Sequence, residues 1–310
     1  MRNLLKPGVV MTICCGLAAC GVNAQHEDPG ATGPAKPYMG EALPKGEAVI
    51  FAPGTVSVAG RYEYAMSIHP SGDRVLFTVE VPGEGAAVFM SRTMDGAWTA
   101  PERVSLTAGA RRREMEAFFS PDGRSLFFAP YDEGLDVRIW MANLTAGGWE
   151  NPRPVGPPMD QDPAFYPVQA SDGTLYYTNL AQRAVYRATL DGDTVVTALP
   201  AGLGAGGHAF PAPDGSYILV DSASLDSDSG RDIFVAFRAA DGSWGSLQPL
   251  GPAVNTEHSE TCPSLSPDGR FLFFSRYNEP GGISDIYWIS SEVVRQQTAP
   301  PHPRALPRNG

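Results

Sequence analysis

Ser120-Pro121-Asp122-Gly123-Arg124-Ser125-Leu126-Phe127-Phe128 and Ser266-Pro267-Asp268-Gly269-Arg270-Phe271-Leu272-Phe273-Phe274 are one phrase written twice. In each, Pro and Asp open a tight turn, Gly supplies the positive φ that completes it, and a β-rich apolar run follows. Ala212-Pro213-Asp214-Gly215 repeats the turn, and His69-Pro70-Ser71-Gly72 and Ala170-Ser171-Asp172-Gly173 are looser copies. The copies recur about every 50 residues, the spacing of a repeat too long for one hairpin. Each is followed by a strand-forming run: Val75-Leu76-Phe77, Leu126-Phe127-Phe128, Leu175-Tyr176-Tyr177, Ile218-Leu219-Val220 and Leu272-Phe273-Phe274.

Working outward, an aliphatic–aromatic pair returns later in every copy: Val88-Phe89, Ile139-Trp140, Val185-Tyr186, Ile233-Phe234 and Ile286-Tyr287. A second Gly hairpin then precedes Trp98, Trp149 and Trp244. Each unit therefore reads strand, turn, strand, loop, strand, hairpin, strand, which is a four-stranded antiparallel blade. The chain is predicted to be all-β, a β-propeller of five blades, with six blades as the alternative. The last copy lacks a fourth strand after Ile286-Tyr287-Trp288-Ile289. A matching segment, Glu47-Ala48-Val49-Ile50-Phe51-Ala52, lies before the first copy. It is expected to close the last blade and protect the ring's open edge.

The Ser-Pro-Asp-Gly-Arg-x-Leu-Phe-Phe phrase, together with Asn255-Thr256, Glu260, Gly281-Gly282 and Asp285-Ile286-Tyr287, resembles the WD-repeat-like propeller repeat of TolB-type periplasmic proteins. The resemblance implies fold rather than activity. TolB-type proteins carry a small α/β domain before a six-bladed ring, and this sequence has no room for that domain.

Composition agrees with many short strands. Gly (34) and Pro (29) punctuate 310 residues too densely for long helices, while 43% hydrophobic residues suffice for a core. Acidic residues outnumber basic ones 34 to 23, a net charge of -11, which argues against a nucleic-acid partner. Arg2 and Lys6, the apolar run from Gly8 to Ala19 and Leu17-Ala18-Ala19-Cys20 read as a lipoprotein signal, with Cys20 the lipidated residue. An ordinary secretory signal ending at Val22-Asn23-Ala24 is the alternative. The likeness to bacterial lipoproteins, with Gly21 after the modified Cys, implies the periplasmic side of the outer membrane. The expected organisation is signal 1–19, lipidated Cys and flexible tether 20–46, propeller 47–296 and Pro-rich tail 297–310. Cys262, left without a disulfide partner, is expected to be buried.

Two sets of residues attract a functional reading. Glu63, Glu114 and Glu260 stand at one position of three inner strands, with Glu116, Tyr166 and His208 two residues closer to the turn and His258 nearby. Together they are expected to form a polar rim at one end of the channel that binds an envelope protein or peptide. The competing structural reading is that each repeated Glu caps backbone as a feature of the repeat. A glycoside hydrolase or polysaccharide lyase using the acidic rim is the catalytic alternative, with a glycan as ligand. The second set is Asp226, Asp228 and Asp232, alternate carboxylates beside Gly230 that suit a weak Ca²⁺ site, against a solvated acidic loop. No other cofactor, no catalytic residue, no membrane contact beyond the anchor and a monomeric state are expected.

Overall fold

The computed structural model describes residues 37–134, 136–145, 148–192, 194–223, 230–279 and 283–298. The signal segment, Cys20, Asp226, Asp228 and Gly281-Gly282 lie outside them.

Regular structure among the described residues is almost entirely strand. The chain begins with β1 (Val49–Ile50) and continues through β2 (Tyr62–Ile68), β3 (Arg74–Val81), β4 (Gly85–Met94), β5 (Ala97–Trp98) and β6 (Glu102–Arg103). Next come β7 (Arg113–Phe119), β8 (Ser125–Tyr131), β9 (Trp140–Thr145) and β10 (Gly148–Pro154), which form a four-stranded antiparallel sheet. A second sheet holds β11 (Ala164–Gln169), β12 (Leu175–Asn179), β13 (Ala184–Asp191) and β14 (Thr194–Ala205). A third holds β15 (Ala209–Pro211), β16 (Tyr217–Ala223), β17 (Arg231–Phe237) and β18 (Gln248–Pro249). Finally β19 (Ser259–Leu265), β20 (Phe271–Glu279) and β21 (Ile283–Ser290) join β1–β6 in a nine-stranded sheet. Within it, β1 pairs antiparallel with β21, Val49 opposite Trp288 and Ile50 opposite Tyr287. One parallel pair, Tyr62 with Ser284, joins β2 to β21.

The strands preceding the Pro-Asp-Gly-type turns pack in a circle. β2 lies against β7, β7 against β11, β11 against β15, β15 against β19, and β19 returns to β2. Four-stranded antiparallel sheets around a common centre are the arrangement of a β-propeller.

The turns fold as their sequence demands. Asp122, Asp214 and Asp268 each accept the backbone N–H two residues on, at 3.0, 3.0 and 3.1 Å. Asp172 does the same with Thr174 at 3.0 Å. Gly123, Gly215 and Gly269 follow at φ near +70°, where a side chain would be strained. Side chains between adjacent sheets supply the core. Phe127, Ile139 and Met141 meet Leu175, Tyr177 and Ala188, while Leu219, Ile233 and Val235 meet Leu272, Phe274 and Ile289.

Packing begins upstream of the expected boundary at Glu47. Tyr38 stands edge-on to Phe271 at 4.9 Å and donates a 2.8 Å hydrogen bond to Asp268. An aromatic ring gains more against Phe271 and Trp288 than in water, which explains why this part of the Pro/Gly-rich stretch docks. At the other end Val294 is fully buried in the short helix α1 (Glu292–Arg295). Apolar contact thus holds the chain to the edge of the Pro-rich tail.

Candidate functional site

The three repeated glutamates hold their own blades together. Glu114 accepts Leu106 N–H at 2.8 Å, Thr107 N–H at 2.7 Å and the Thr107 hydroxyl at 2.6 Å. Glu260 accepts the Thr256 hydroxyl at 2.6 Å and Arg276 Nε at 2.8 Å. Glu63 accepts Val58 N–H at 3.2 Å and pairs with Arg61. All three are buried, and in each case the partners lie largely in the loop leading into the strand. Burial pushes the Glu63 carboxyl up, against the pull of Arg61, and its Oε2 has no hydrogen-bond partner among the described residues. His258 stands in the loop before β19, partly exposed, with its backbone N–H on Thr256 Oγ1. Of the expected calcium ligands only Asp232 is described, and it is buried within β17.

Two residues closer to the turn, the same strands carry a different layer. The equivalent positions are Ala65, Glu116, Tyr166, His208 and Cys262. At four of them the backbone is left-handed, with φ of 53°, 53°, 55° and 52° for Ala65, Glu116, Tyr166 and Cys262. Each of these four sits where the register with the next strand shifts. A bulge there swings the residue out of the ladder and frees its N–H. Neighbouring sheets supply the acceptors. Glu116 N–H bonds to Thr78 Oγ1 at 2.9 Å, Tyr166 N–H to Glu116 Oε2 at 2.8 Å and Cys262 N–H to Asp221 Oδ2 at 2.9 Å.

The bulges gather chemistry that is scattered in the sequence. His208 Nδ1 shares a 2.5 Å hydrogen bond with Asp221 Oδ2, and His208 Nε2 lies 3.4 Å from Glu116 Oε1. Donor atoms of Glu116, His208 and Cys262 all lie within 4.8 Å of one another. The His208 ring meets Tyr166 edge-on at 4.5 Å, and the Tyr166 hydroxyl bonds to Pro263 O at 2.9 Å. Arg231 clamps Asp221 through Nε at 3.1 Å and Nη2 at 2.5 Å. Gly207 makes that clamp feasible, because a Cβ there would come within 2.3 Å of Asp221 Oδ1 and 2.5 Å of Arg231 Nη2.

Charge follows from this packing. Burial opposes a charged imidazole, yet the Asp221 carboxylate outweighs it and holds His208 well above the usual histidine range. Burial works against the Asp221 charge too, but His208 and Arg231 keep its carboxyl low. Burial pushes the Cys262 thiol up, with His208 opposing. Glu116, Tyr166 and His208 of the expected rim thus meet one another, whereas Glu63, Glu114 and Glu260 have local partners. Sequence reasoning missed Asp221 and Cys262 as members. Counting five residues back from the second turn position in all five repeats would have found Cys262.

The turn end of the ring opens as a funnel of about 500 Å³. Residues of all five turns surround it, and Phe118, Val168, Phe210 and Leu265 line its apolar walls, with Tyr38 at its edge. Phe118, Tyr166 and Val168 also pack against Cys262, so this aromatic layer stands between the funnel and the polar cluster.

No family model and no curated protein matches the sequence. Similar solved structures include the α-L-arabinofuranosidase of Podospora anserina, with 11% identity, 77% of this chain and 95% of that chain covered, and a TM-score of 0.50. The catalytic domain of the Coprinopsis cinerea GH62 α-L-arabinofuranosidase gives 11% identity, 79% and 97% coverage, and a TM-score of 0.50. TolB from Acinetobacter baumannii gives 15% identity, 75% and 55% coverage and a TM-score of 0.48, so this chain spans about half of that protein. At these identities the likeness is one of fold.

Proposed function

We propose that this chain is a non-catalytic, five-bladed propeller that binds a protein or peptide at the bacterial cell envelope. The observation that carries this reading is the funnel, a concave apolar mouth framed by rigid turns and wide enough to receive side chains of a partner segment. Binding needs apolar surface that water can reach, and half-buried Phe210 and Ile68 offer it there. The circle of inner strands and the β1–β21 pair support five blades closed by the N-terminal segment. The leader sequence supports lipid anchoring through Cys20 on the periplasmic side of the outer membrane.

The glycan-cleaving alternative needs two free carboxylates facing a substrate. Glu63, Glu114 and Glu260 are buried with partners of their own, which weakens that reading.

In-cell cross-linking of the full chain, compared with a folded Phe210→Ser variant, tests the proposal. A partner captured by the wild type and lost from the variant is the expected result. A partner set indifferent to Phe210→Ser would exclude the funnel, and release of sugar from envelope polysaccharide would favour the enzyme. Loss of fatty-acid labelling in Cys20→Ala checks the anchor.

A further inference from the structure

The polar cluster behind the aromatic layer is separate from the funnel and is not used by the binding function. We propose that Glu116, His208 and Cys262 form a site for a divalent transition metal of the zinc type, with Asp221 orienting His208 toward the ion.

The ligand set comes first. A thiolate, an imidazole and a carboxylate suit zinc, whereas calcium and magnesium take oxygen ligands. Distances follow. Tetrahedral zinc with bonds of about 2.0–2.3 Å holds its donors about 3.3–3.8 Å apart. His208 Nε2 and Glu116 Oε1, 3.4 Å apart, already stand at that spacing, and all three donors lie within 4.8 Å of one another. A shift of at most about 1 Å at the Cys262 sulfur completes the site.

Each ligand is also held from behind. Glu116 Oε2 is engaged by Tyr166 N–H, which leaves Oε1 turned to His208. His208 Nδ1 is held by Asp221, so Nε2 is the nitrogen presented to an ion. A carboxylate behind a ligating histidine fixes the ring and strengthens the donor. Asp221 is itself fixed by Cys262 N–H, His208 N–H and Arg231, so one carboxylate sets two ligands at once. Glu116 and Cys262 come from two different sheets and His208 directly precedes the first strand of a third, so the ion would cross-link the ring. Three protein ligands leave a fourth position for water.

The same residues could suggest a Cys–His–Asp nucleophile. That chemistry requires substrate at the sulfur, and Tyr64, Ala65, Phe118, Tyr166 and Val168 fill the space around Cys262. It also gives Glu116 no task. The metal reading uses all four side chains.

The test uses the full chain carrying C14S/C15S/C20S, so that Cys262 is its sole thiol. Metal-free protein is titrated with Co²⁺ and then with Zn²⁺. The expected result is one equivalent bound, a thiolate-to-cobalt charge-transfer band, and loss of the band as Zn²⁺ displaces cobalt. Adding Cys262→Ser should abolish the band, and Asp221→Asn should weaken Zn²⁺ binding about 10- to 100-fold. Should either variant unfold, the thermal stability of the metal-free C14S/C15S/C20S protein provides the second readout, with one equivalent of Zn²⁺ expected to raise its melting temperature. A missing charge-transfer band, a band that survives Cys262→Ser, or a melting temperature equal with and without Zn²⁺ would overturn the assignment.

Discussion

Glu63, Glu114 and Glu260 stand two residues before Ala65, Glu116 and Cys262 on the same three strands, yet the two layers do different work. In the first layer one residue type recurs, and each copy accepts hydrogen bonds from the loop entering its strand. In the second layer Ala, Glu, Tyr, His and Cys replace one another, and the N–H groups of Glu116, Tyr166 and Cys262 find their acceptors in other sheets. Recurrence within a repeat therefore marks what each blade needs to fold by itself. Divergence at an equivalent position marks what the assembled ring holds at its centre.

The contrast breaks most sharply at Glu260. Glu260→Ala would leave Arg276 Nε and the Thr256 hydroxyl without their carboxylate partner, at a cost of about 3 kcal/mol. Chemical denaturation of the two proteins measures it, and a loss below about 1 kcal/mol would remove the structural role assigned to the first layer. Gly207→Ala comes next. Its new Cβ collides with Asp221 and Arg231, so stability should fall by about 1–3 kcal/mol through overpacking. A crystal structure of this variant should show Asp221 displaced from His208.

A smaller effect is expected at Thr78. Thr78→Val removes the acceptor for the buried Glu116 N–H, which should cost about 1–2 kcal/mol in a thermal melt. It leaves the Glu63, Glu114 and Glu260 bonds untouched, so the loss belongs to the second layer alone. Equal stability of Thr78→Val and wild type would mean that the bulge does not depend on its neighbour.

The smallest effect is set by pH. Asp214 is held below the usual carboxylate range by the Ser216 hydroxyl and N–H. In Asp122, burial works the other way but is outweighed by Ser120 and Arg124 N–H. A carboxyl lowered in the folded state binds fewer protons there than when unfolded, so its stabilisation is complete above the unfolded pKa. It is lost as pH falls through the lowered value. Stability should therefore decline on acidification below the ordinary aspartate value of 3.8, and less steeply in Ser120→Ala/Ser216→Ala. Identical acid slopes would show that these turn bonds do not survive in solution.

Much of the fold was legible because its signals are local. Pro-Asp-Gly turns, the β-rich runs after them and the Trp-bearing hairpins each act over a few residues. The antiparallel partner of β21 was legible too, since Val49 and Ile50 parallel the segment that follows the first repeat's last hairpin. The docking of Tyr38 was hidden, because it depends on Phe271 and Trp288 far along the chain. Among the candidate residues, Glu116, Tyr166 and His208 were visible as one repeat position. Cys262 occupies that position as well, but an apolar strand and a missing disulfide partner pointed to packing alone.

By itself, the sequence determined a ring-forming all-β repeat with tight Asp-Gly turns, because turn geometry and strand alternation are properties of neighbouring residues. Tertiary structure alone decided which carboxylates are engaged and which converge. Glu116 and Cys262 are turned by bulges in separate strands to where His208 and Asp221 of a third blade stand, and no spacing within a single repeat encodes that meeting.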